Sequence, residues 1–349
     1  MRTTLRDVAH RAGVSLATVS YVLNQGPRPV SSARRERVLA AVQELQYLPS
    51  PRERKRSRPR TIGVIVPDAS HPFFAGAIQG IDHVVCPDGH LLFAASSLED
   101  PARERRLVHA FLRCRIDGLI LTPCCGVSPY VEQMVQRRVP VVIMDRGGAS
   151  PSLTHVTINN YRSAFQAVRL LWESGHNRIA LVNGPDQIDT YRERLRGYTD
   201  ALAFAGLPFE PELVCRGPQT FDHGLQATRM LLGLAEAPSA IFSSSVPLTS
   251  GVLSGLRERR LRVPDDIALV GFGDPIWASL VTPPLTVIEQ PTVLLGEAAA
   301  RLLVARIGRE PSATGQRVVL ETRLILRESH WRAAQPAAEA TAAAEVSAE

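Results

Sequence analysis

Lysine is nearly missing from this chain. Of its forty basic residues only Lys55 is lysine, and the rest are arginine. A phosphate-gripping Gly-x-x-x-x-Gly-Lys loop is therefore excluded, because no lysine follows a glycine-rich turn. The sequence also has no His-Glu-x-x-His and no Gly-x-Ser-x-Gly. These absences remove the commonest zinc-protease and serine-hydrolase arrangements. Gly271-Phe-Gly273-Asp274 supplies two of the three glycines of a dinucleotide loop. Pro275 interrupts before any helix could start, so the stretch reads as a strand-end turn lining a cleft. The nine histidines form no cluster, and His176, in Ser174-Gly-His-Asn-Arg, reads as structural. Cysteines number five (Cys86, Cys114, Cys124, Cys125, Cys215), odd and scattered, with no Cys-x-x-Cys. That pattern points to reduced cytosolic thiols and away from a disulfide framework or a zinc site. No apolar run approaches membrane-spanning length. The first residues read as a capped amphipathic helix, not a secretion signal, so a cytoplasmic protein is expected. No catalytic constellation, cofactor motif or metal motif emerges; the expectation is a protein that is not an enzyme.

What is present begins at Thr4. Residues 4–24 read Thr-Leu-Arg-Asp-Val-Ala-His-Arg-Ala-Gly-Val-Ser-Leu-Ala-Thr-Val-Ser-Tyr-Val-Leu-Asn. Thr4 can cap a first helix, with Asp7 favouring its positive end. Leu5, Val8, Ala9 and Ala12 then follow at helical spacing. Gly13 permits the turn. Ser15 caps a second helix whose apolar members are Leu16, Val19, Val22 and Leu23. Its other face carries Ala17, Thr18, Ser20, Tyr21 and Asn24, small and polar enough to enter a major groove. A third helix is predicted from Ser31 or Ser32 through Ala33 to about Gln46. The pattern is a helix-turn-helix that reads DNA; an ordinary three-helix bundle is the bland alternative.

Charge favours the former. Residues 1–60 hold thirteen Lys and Arg against four acids, a net +9, while residues 61–349 carry about −3. A basic head on a slightly acidic body suits a polyanion partner. Residues 52–60, Arg-Glu-Arg-Lys-Arg-Ser-Arg-Pro-Arg, have no apolar position and read as a solvated linker that can order on phosphates. With no apolar face beside the charge, no membrane partner is expected.

From Thr61 strand-length apolar runs take over, at Thr61–Pro67, Leu91–Ala95, Gly118–Leu121, Val139–Met144, Val156–Ile158, Arg178–Val182, Ser239–Phe242 and Ile267–Val270. Helical patterns lie between them: Phe74–Val85, Pro101–Arg113, Pro129–Gln136, Tyr161–Ser174, Glu193–Ala205, Phe221–Leu234 and Leu248–Glu258. Alternation of this kind predicts α/β architecture with parallel sheets covered on both faces. The length suits two lobes. The chain is expected to change lobes near Asn159–Tyr161 and to cross back within Pro284–Arg327. Ligands of such sheets bind beyond the carboxyl ends of the strands, which places a small-molecule cleft between the lobes. After Trp331 the chain is Ala-, Glu- and Ser-rich without apolar anchors and reads as disordered. The expected divisions are a DNA-binding domain at 1–48, a basic hinge at 49–60, an effector-binding and dimerisation domain at 61–330, and a tail at 331–349.

Over roughly residues 3–330 the chain resembles the LacI–GalR family of bacterial transcriptional regulators. The resemblance rests on Leu5-Arg-Asp-Val-Ala9, Ala12-Gly-Val-Ser15, Ala17-Thr-Val-Ser20 and Val22-Leu-Asn24. Further along it rests on Pro72-Phe-Phe74, Asp117-Gly-Leu-Ile120, Val139-Pro-Val-Val142, Asp145-Arg146, Arg194-Leu-Arg-Gly197-Tyr198, Val263-Pro-Asp-Asp266 and Val270-Gly-Phe272. It implies a helix-turn-helix head on a body like a periplasmic sugar-binding protein. It also implies a homodimer on a pseudo-palindromic double-stranded operator, and a small effector, a carbohydrate or a different metabolite, that alters DNA affinity. By the same resemblance Leu16 and Ala17, with Ser20 and Tyr21 one turn on, meet base edges, and Ser15, Thr18 and Asn24 meet phosphates. Many members carry arginine where Tyr21 stands, so a bidentate arginine–guanine contact is lost there. The family's leucine-bearing hinge is also replaced. Pro51 and arginines follow Tyr47-Leu-Pro, and Arg56 stands about where the leucine would be. Arg54, Arg56 and Arg58 are expected to lie along the DNA backbone or in a narrow minor groove. In the cleft the resemblance points to Phe73 and Phe74 for stacking and to Arg194 for hydroxyls or carboxylate, with Asp145, Arg146 and Thr190 as further candidates. Ser245-Val246 stand where members often have Asn-Asp. Gly273 stands where an effector-contacting Asp is common, and Asp274 is the available substitute.

Two other readings stay open on the sequence: a DNA-binding regulator with no small-molecule effector, and a non-specific nucleoid-type DNA binder. A secreted solute-binding protein would share the body but not the basic head.

Overall fold

The computed structural model describes residues 3–23, 30–47, 60–87, 89–126, 130–131, 134, 137–147, 152–309 and 314–331. Asn24, Arg54, Arg56, Arg58, the rest of residues 48–59, most of the helix expected at Pro129–Gln136 and the tail beyond Trp331 lie outside them. The chain divides into two compact units between Arg60 and Thr61.

The first unit holds three helices, α1 (Leu5–Ala12), α2 (Leu16–Leu23) and α3 (Ser32–Glu44). Thr4 and Asp7 cap α1 reciprocally: the Asp7 N–H donates to Thr4 Oγ1, and the Thr4 N–H donates to Asp7 Oδ2 at 2.7 Å. The box satisfies donors that a helix start leaves unpaired. Those hydrogen bonds also hold the Asp7 carboxyl below its ordinary pKa. Gly13 ends α1 in the left-handed region, at φ 62°, where a Cβ is disfavoured. Ser15 Oγ then accepts the Thr18 N–H at 3.1 Å and opens α2. Val8, Ala9, Ala12, Val19, Val22, Val38, Ala41 and Tyr47 form the core of the unit. Arg11 on α1 pairs with Glu44 at the end of α3. The third helix begins one residue before Ala33, and its cap position, Ser31, makes no side-chain bond.

The second unit contains two six-stranded sheets. The first has the order β11-β5-β4-β3-β1-β2, all parallel. Its strands are β1 (Thr61–Val66), β2 (Leu91–Ser96), β3 (Gly118–Leu121), β4 (Val141–Met144), β5 (Thr154–Ile158) and β11 (Arg317–Leu320). The second has the order β12-β10-β9-β8-β6-β7, parallel except for its edge strand β12. It consists of β6 (Ile179–Asn183), β7 (Val214–Arg216), β8 (Ala240–Ser243), β9 (Ala268–Phe272), β10 (Thr286–Glu289) and β12 (Arg323–Ile325). Inner strands such as β1, β3, β4, β6, β8 and β9 are buried along their whole length, as their unbroken apolar runs predict. The run at Leu91 behaves differently. It is an edge strand, with Leu91 48% and Phe93 42% exposed.

Helices α4 (Pro72–Val85) and α5 (Pro101–Arg113) serve the first sheet. Helices α6 (Asn160–Glu173), α7 (Asp189–Phe204), α8 (Phe221–Leu231) and α9 (Val246–Glu258) serve the second. The chain passes between lobes three times: at Asn159, between β10 and α10 (Thr292–Val304), and between β11 and β12. The segment Pro284–Arg327 thus does more than cross back. It leaves a strand in the second lobe, packs α10 on α4 in the first, adds β11 there, and returns as β12. Helices α4 and α10 meet at glycines. A Cβ on Gly80 would lie 2.0 Å from the Val293 carbonyl oxygen, and one on Gly296 would lie 1.9 Å from that of Ala77. The first and third passages are laced together by Asn159 N–H to Leu320 O at 3.0 Å and by Ser163 Oγ to Thr322 Oγ1 at 2.7 Å.

Candidate DNA-reading helix and ligand cleft

In the first unit the start of α2 presents Leu16, 46% exposed, and an exposed Ala17. Val19 and Val22 turn the opposite way, into the core. Ser20 and Tyr21, one turn further, are partly exposed. Ser15 and Thr18 are partnered to each other, Oγ to Oγ1 at 2.8 Å, in addition to the cap. The arrangement puts small or apolar groups at the tip of a helix whose base is locked, the shape needed for a groove-entering element.

In the second unit, residues just past the strand ends converge. Asp145 follows β4, Ser245 and Val246 follow β8, Phe272 ends β9, and Gln290 follows β10. With His71, Phe73 and Phe74 from the start of α4, and Thr190, Tyr191 and Arg194 from the first turns of α7, they line one cleft between the lobes. This is the carboxyl-end rule for open α/β sheets applied twice, from two sheets facing each other. Of the residues singled out in the sequence, Phe73, Phe74, Asp145, Arg146, Thr190 and Arg194 come together here.

Arg194 is buried, with its guanidinium 3.7 Å from the Phe272 ring centroid. Its Nε donates to Asn160 Oδ1 at 2.9 Å and its Nη1 to the Ser244 carbonyl at 2.6 Å. Nη2 has no partner among the described residues. Asp145 adopts the left-handed backbone, at φ 69°, and its own carbonyl accepts the Thr157 hydroxyl at 2.6 Å. Its carboxylate accepts no hydrogen bond among the described residues, although the residue is only 8% exposed. Burial pushes that carboxyl up to about 6, against the pull of the Arg146 and Arg194 charges. Arg146 is otherwise engaged, by Glu99 and by the Pro123 carbonyl. Burial pushes the Tyr191 phenol up to about 12, so it stays a neutral donor and acceptor. His71 caps α4 by accepting the Phe73 N–H on Nδ1 at 3.2 Å. Burial lowers the His71 pKa, so the neutral ring carries its proton on Nε2, which is buried without a partner among the described residues. Ser245 Oγ is likewise buried and unpartnered there, and it does not cap α9. Such groups cost stability until something bonds them.

Asp274 sits apart from this ring. It lines the adjoining hollow with Gly273 and Pro275, and both its carboxylate oxygens accept from Arg327, at 2.9 and 2.7 Å. A direct contact across the cleft joins the lobes, the Gly147 N–H donating to Asp189 at 3.2 Å. Sequence reasoning did not single out His71, Tyr191, Gln219, Phe272 or Gln290. Tyr191 stands three residues before Arg194 on one helix face, and Phe272 and Gln290 close strands, so spacing and the strand-end rule were the available signals. Among the described residues no three His, Cys, Asp or Glu side chains gather as a metal site, and no helix is long and apolar enough to cross a membrane.

The comparisons with known proteins match both units. Residues 4–50 match bacterial regulatory proteins of the lacI family, and residues 149–330 match the periplasmic binding protein-like domain. The HTH-type transcriptional repressor CytR of Escherichia coli K12 is 35% identical over 330 residues, 93% of this chain and 96% of that protein. The ribose operon repressor of the same strain is also 35% identical, over 93% of this chain and 99% of its own. Among solved structures, a CelR–cellobiose complex covers 94% of this chain at 35% identity with a TM-score of 0.72. A lac repressor dimer bound to operator and the anti-inducer ONPF covers 95% at 27% identity with a TM-score of 0.82. The exposed head of α2, the twin parallel sheets and these matches together make the chain a member of the LacI family of bacterial regulatory proteins, a DNA-binding regulator of transcription.

Proposed function

We propose that this protein is a cytoplasmic, nucleoid-associated repressor. It places two copies of α2 on a pseudo-palindromic operator as a homodimer, and a small effector in the cleft sets its grip on DNA. The observation that carries the effector half is the ring of unspent polar groups: Asp145 Oδ, Arg194 Nη2, His71 Nε2 and Ser245 Oγ, beside the faces of Phe73, Phe74 and Phe272. Donors and one charged acceptor around apolar rings suit a hydroxylated ring compound of carbohydrate type. Related regulators bound to cellobiose and to ONPF support the choice of ligand class.

The test is selection of DNA from a genomic library by the purified full chain, followed by binding assays on the selected sites with and without sugars. The expected result is one dominant palindromic motif and at least one sugar that changes its affinity tenfold or more. Equal binding to all DNA fragments overturns the reading in favour of a bulk DNA binder. A preferred motif that no small molecule affects leaves the operator half standing and removes the effector half.

A further inference from the structure

The body as a whole is slightly acidic, at about −3, yet its basic residues are not spread evenly. In the first lobe, Thr61, Gly118 and Val141 open β1, β3 and β4, three neighbouring parallel strands. Neighbouring strands lie about 4.8 Å apart, so the segments leading into them emerge close together on one end of the sheet. Arg113 and Arg115 lead into β3, and Arg137 and Arg138 lead into β4. Helix α10 runs against the strands and ends at the same place. A Cβ on Gly118 would lie 3.0 Å from the Leu303 side chain, and Arg306 and Arg309 come just beyond.

Little answers this charge. Of the acids at this end, Asp117 accepts the Thr61 N–H and Asp82 accepts the Cys86 thiol, each at 2.7 Å. No carboxylate among the described residues pairs with Arg113, Arg137, Arg306 or Arg309. Exposed arginines elsewhere on the body commonly face one, as Arg169 faces Glu173, Arg229 faces Glu258 and Arg323 faces Glu289. Arg115 and Arg138 are also placed against backbone preference. Each holds a left-handed stop, at φ 55° and 58°, closed by the next N–H: Ile116 onto the Phe111 carbonyl at 3.3 Å and Val139 onto that of Met134 at 3.1 Å. Gly175 and Gly206 take the same stop after α6 and α7, where the lack of a Cβ suits it. Any other residue sets its Cβ against the following carbonyl. Arg260 takes such a stop in the second lobe, but there Asp265 and Asp266 answer the neighbouring Arg262.

Exposed guanidinium groups without a carboxylate suit an anion from outside the fold, and phosphate matches their paired N–H groups. The chain that carries the helix-turn-helix joins the body at Thr61, on this same end. We infer that the basic end of the first lobe is a second DNA-binding surface, which grips phosphates of the duplex that α2 reads through Arg113, Arg137 and Arg309 at its exposed rim. DNA binding by the head is the premise. The added claim is that the body holds the backbone too, without reading bases.

The test uses the purified full chain on a duplex carrying the motif it selects from a genomic library. One variant combines Arg113→Ala, Arg137→Ala and Arg309→Ala; a second changes the same three positions to lysine. Each phosphate contact contributes about 0.9 to the slope of log affinity against log salt. The alanine variant flattens that slope by at least one unit and binds tenfold or more weakly at about 100 mM salt. The lysine variant, which keeps the charges, stays within one unit of the wild type. Both select the wild-type motif, which shows the head intact. Ethylation interference finds at least one phosphate in each half-site whose blocking weakens the wild type and not the alanine variant. Arg257→Ala with Arg259→Ala, which strips exposed charge from the second lobe, leaves the slope unchanged. A change below one unit in the alanine variant assigns these arginines to some other anion, an acidic protein included, and overturns the surface while the head's role stands. Equal flattening by the lysine variant or by the second-lobe pair overturns it as well. If the wild type selects no motif, the slopes are read on random duplex and judge the surface in the same way, and only the operator reading falls.

Discussion

Asp145 carries its charge at a net cost: it is buried, left-handed and without a hydrogen-bonded partner for its carboxylate among the described residues, and the nearby Arg146 and Arg194 charges offset only part of its burial. Its pKa of about 6 lies above the value of about 3.9 expected in an unfolded chain. Between those values the folded protein holds a proton that the unfolded chain releases, so this residue's contribution to stability falls as pH rises through that window. Below about 4 the penalty is absent. Above 6 it is complete, on the order of 2–3 kcal/mol. Asp145→Asn keeps a side chain tolerant of positive φ and removes the charge. Relative to wild type at pH 4, the variant should gain up to that amount by pH 7 in urea unfolding, while losing effector affinity. A stability difference that stays flat from pH 4 to pH 7 contradicts the assignment. At the DNA end, Tyr21 can offer one hydroxyl where an arginine would offer a fork. Tyr21→Arg is expected to change the preferred central bases of each half-site in a randomised operator pool. Identical selected motifs count against a role for Tyr21 in base reading.

Helices and strands were legible to very different degrees. Buried parallel strands announce themselves as unbroken apolar runs, and Thr61–Val66 needed nothing more, whereas the run at Ile267–Val270 stops short of β9, which continues through Gly271 and Phe272 where a turn was expected. The edge strand at Leu91 has the same composition but not the same burial, because sequence does not say which strand ends a sheet. The start of α7 was missed by four residues. Asp189, Thr190 and Tyr191 look like loop or core in one dimension, and they become a helix start only when its N-terminus faces the cleft. The segment from Pro284 to Arg327 hid three strands and a helix, since its pieces belong to different lobes and share no local period. The cleft residues Phe73, Phe74, Asp145 and Arg194 were visible through family likeness. His71 was not, because an orphaned ring nitrogen exists only in three dimensions. The packing of α10 on α4 gives a direct test. Gly80→Ala ordinarily improves a helix by about 1 kcal/mol. Here the added methyl meets the Val293 carbonyl, and overpacking of this kind costs about 1–3 kcal/mol. The expected outcome is a lower melting temperature. A higher one means the two helices separate freely.

On the scale of the whole chain, charge is segregated: net +9 before Thr61 and about −3 after it. The acidic body opposes non-specific adhesion, and we propose that affinity for DNA rests chiefly on the head and on the arginines at 54, 56 and 58. Each phosphate contact contributes about 0.9 to the slope of log affinity against log salt. Replacing Arg54, Arg56 and Arg58 with alanine should flatten that slope by up to about one unit per residue, at any operator sequence. An unchanged slope removes the basic segment from the DNA interface.

Through Asn160, Arg194 is tied to the chain's first crossing between lobes. Asn160 opens α6 directly after the chain's first passage between lobes, and its amide also donates to the Ile158 carbonyl on the far side of that passage. On the proposed reading, a molecule that engages the guanidinium pulls directly on the strap between the lobes, one hydrogen bond away.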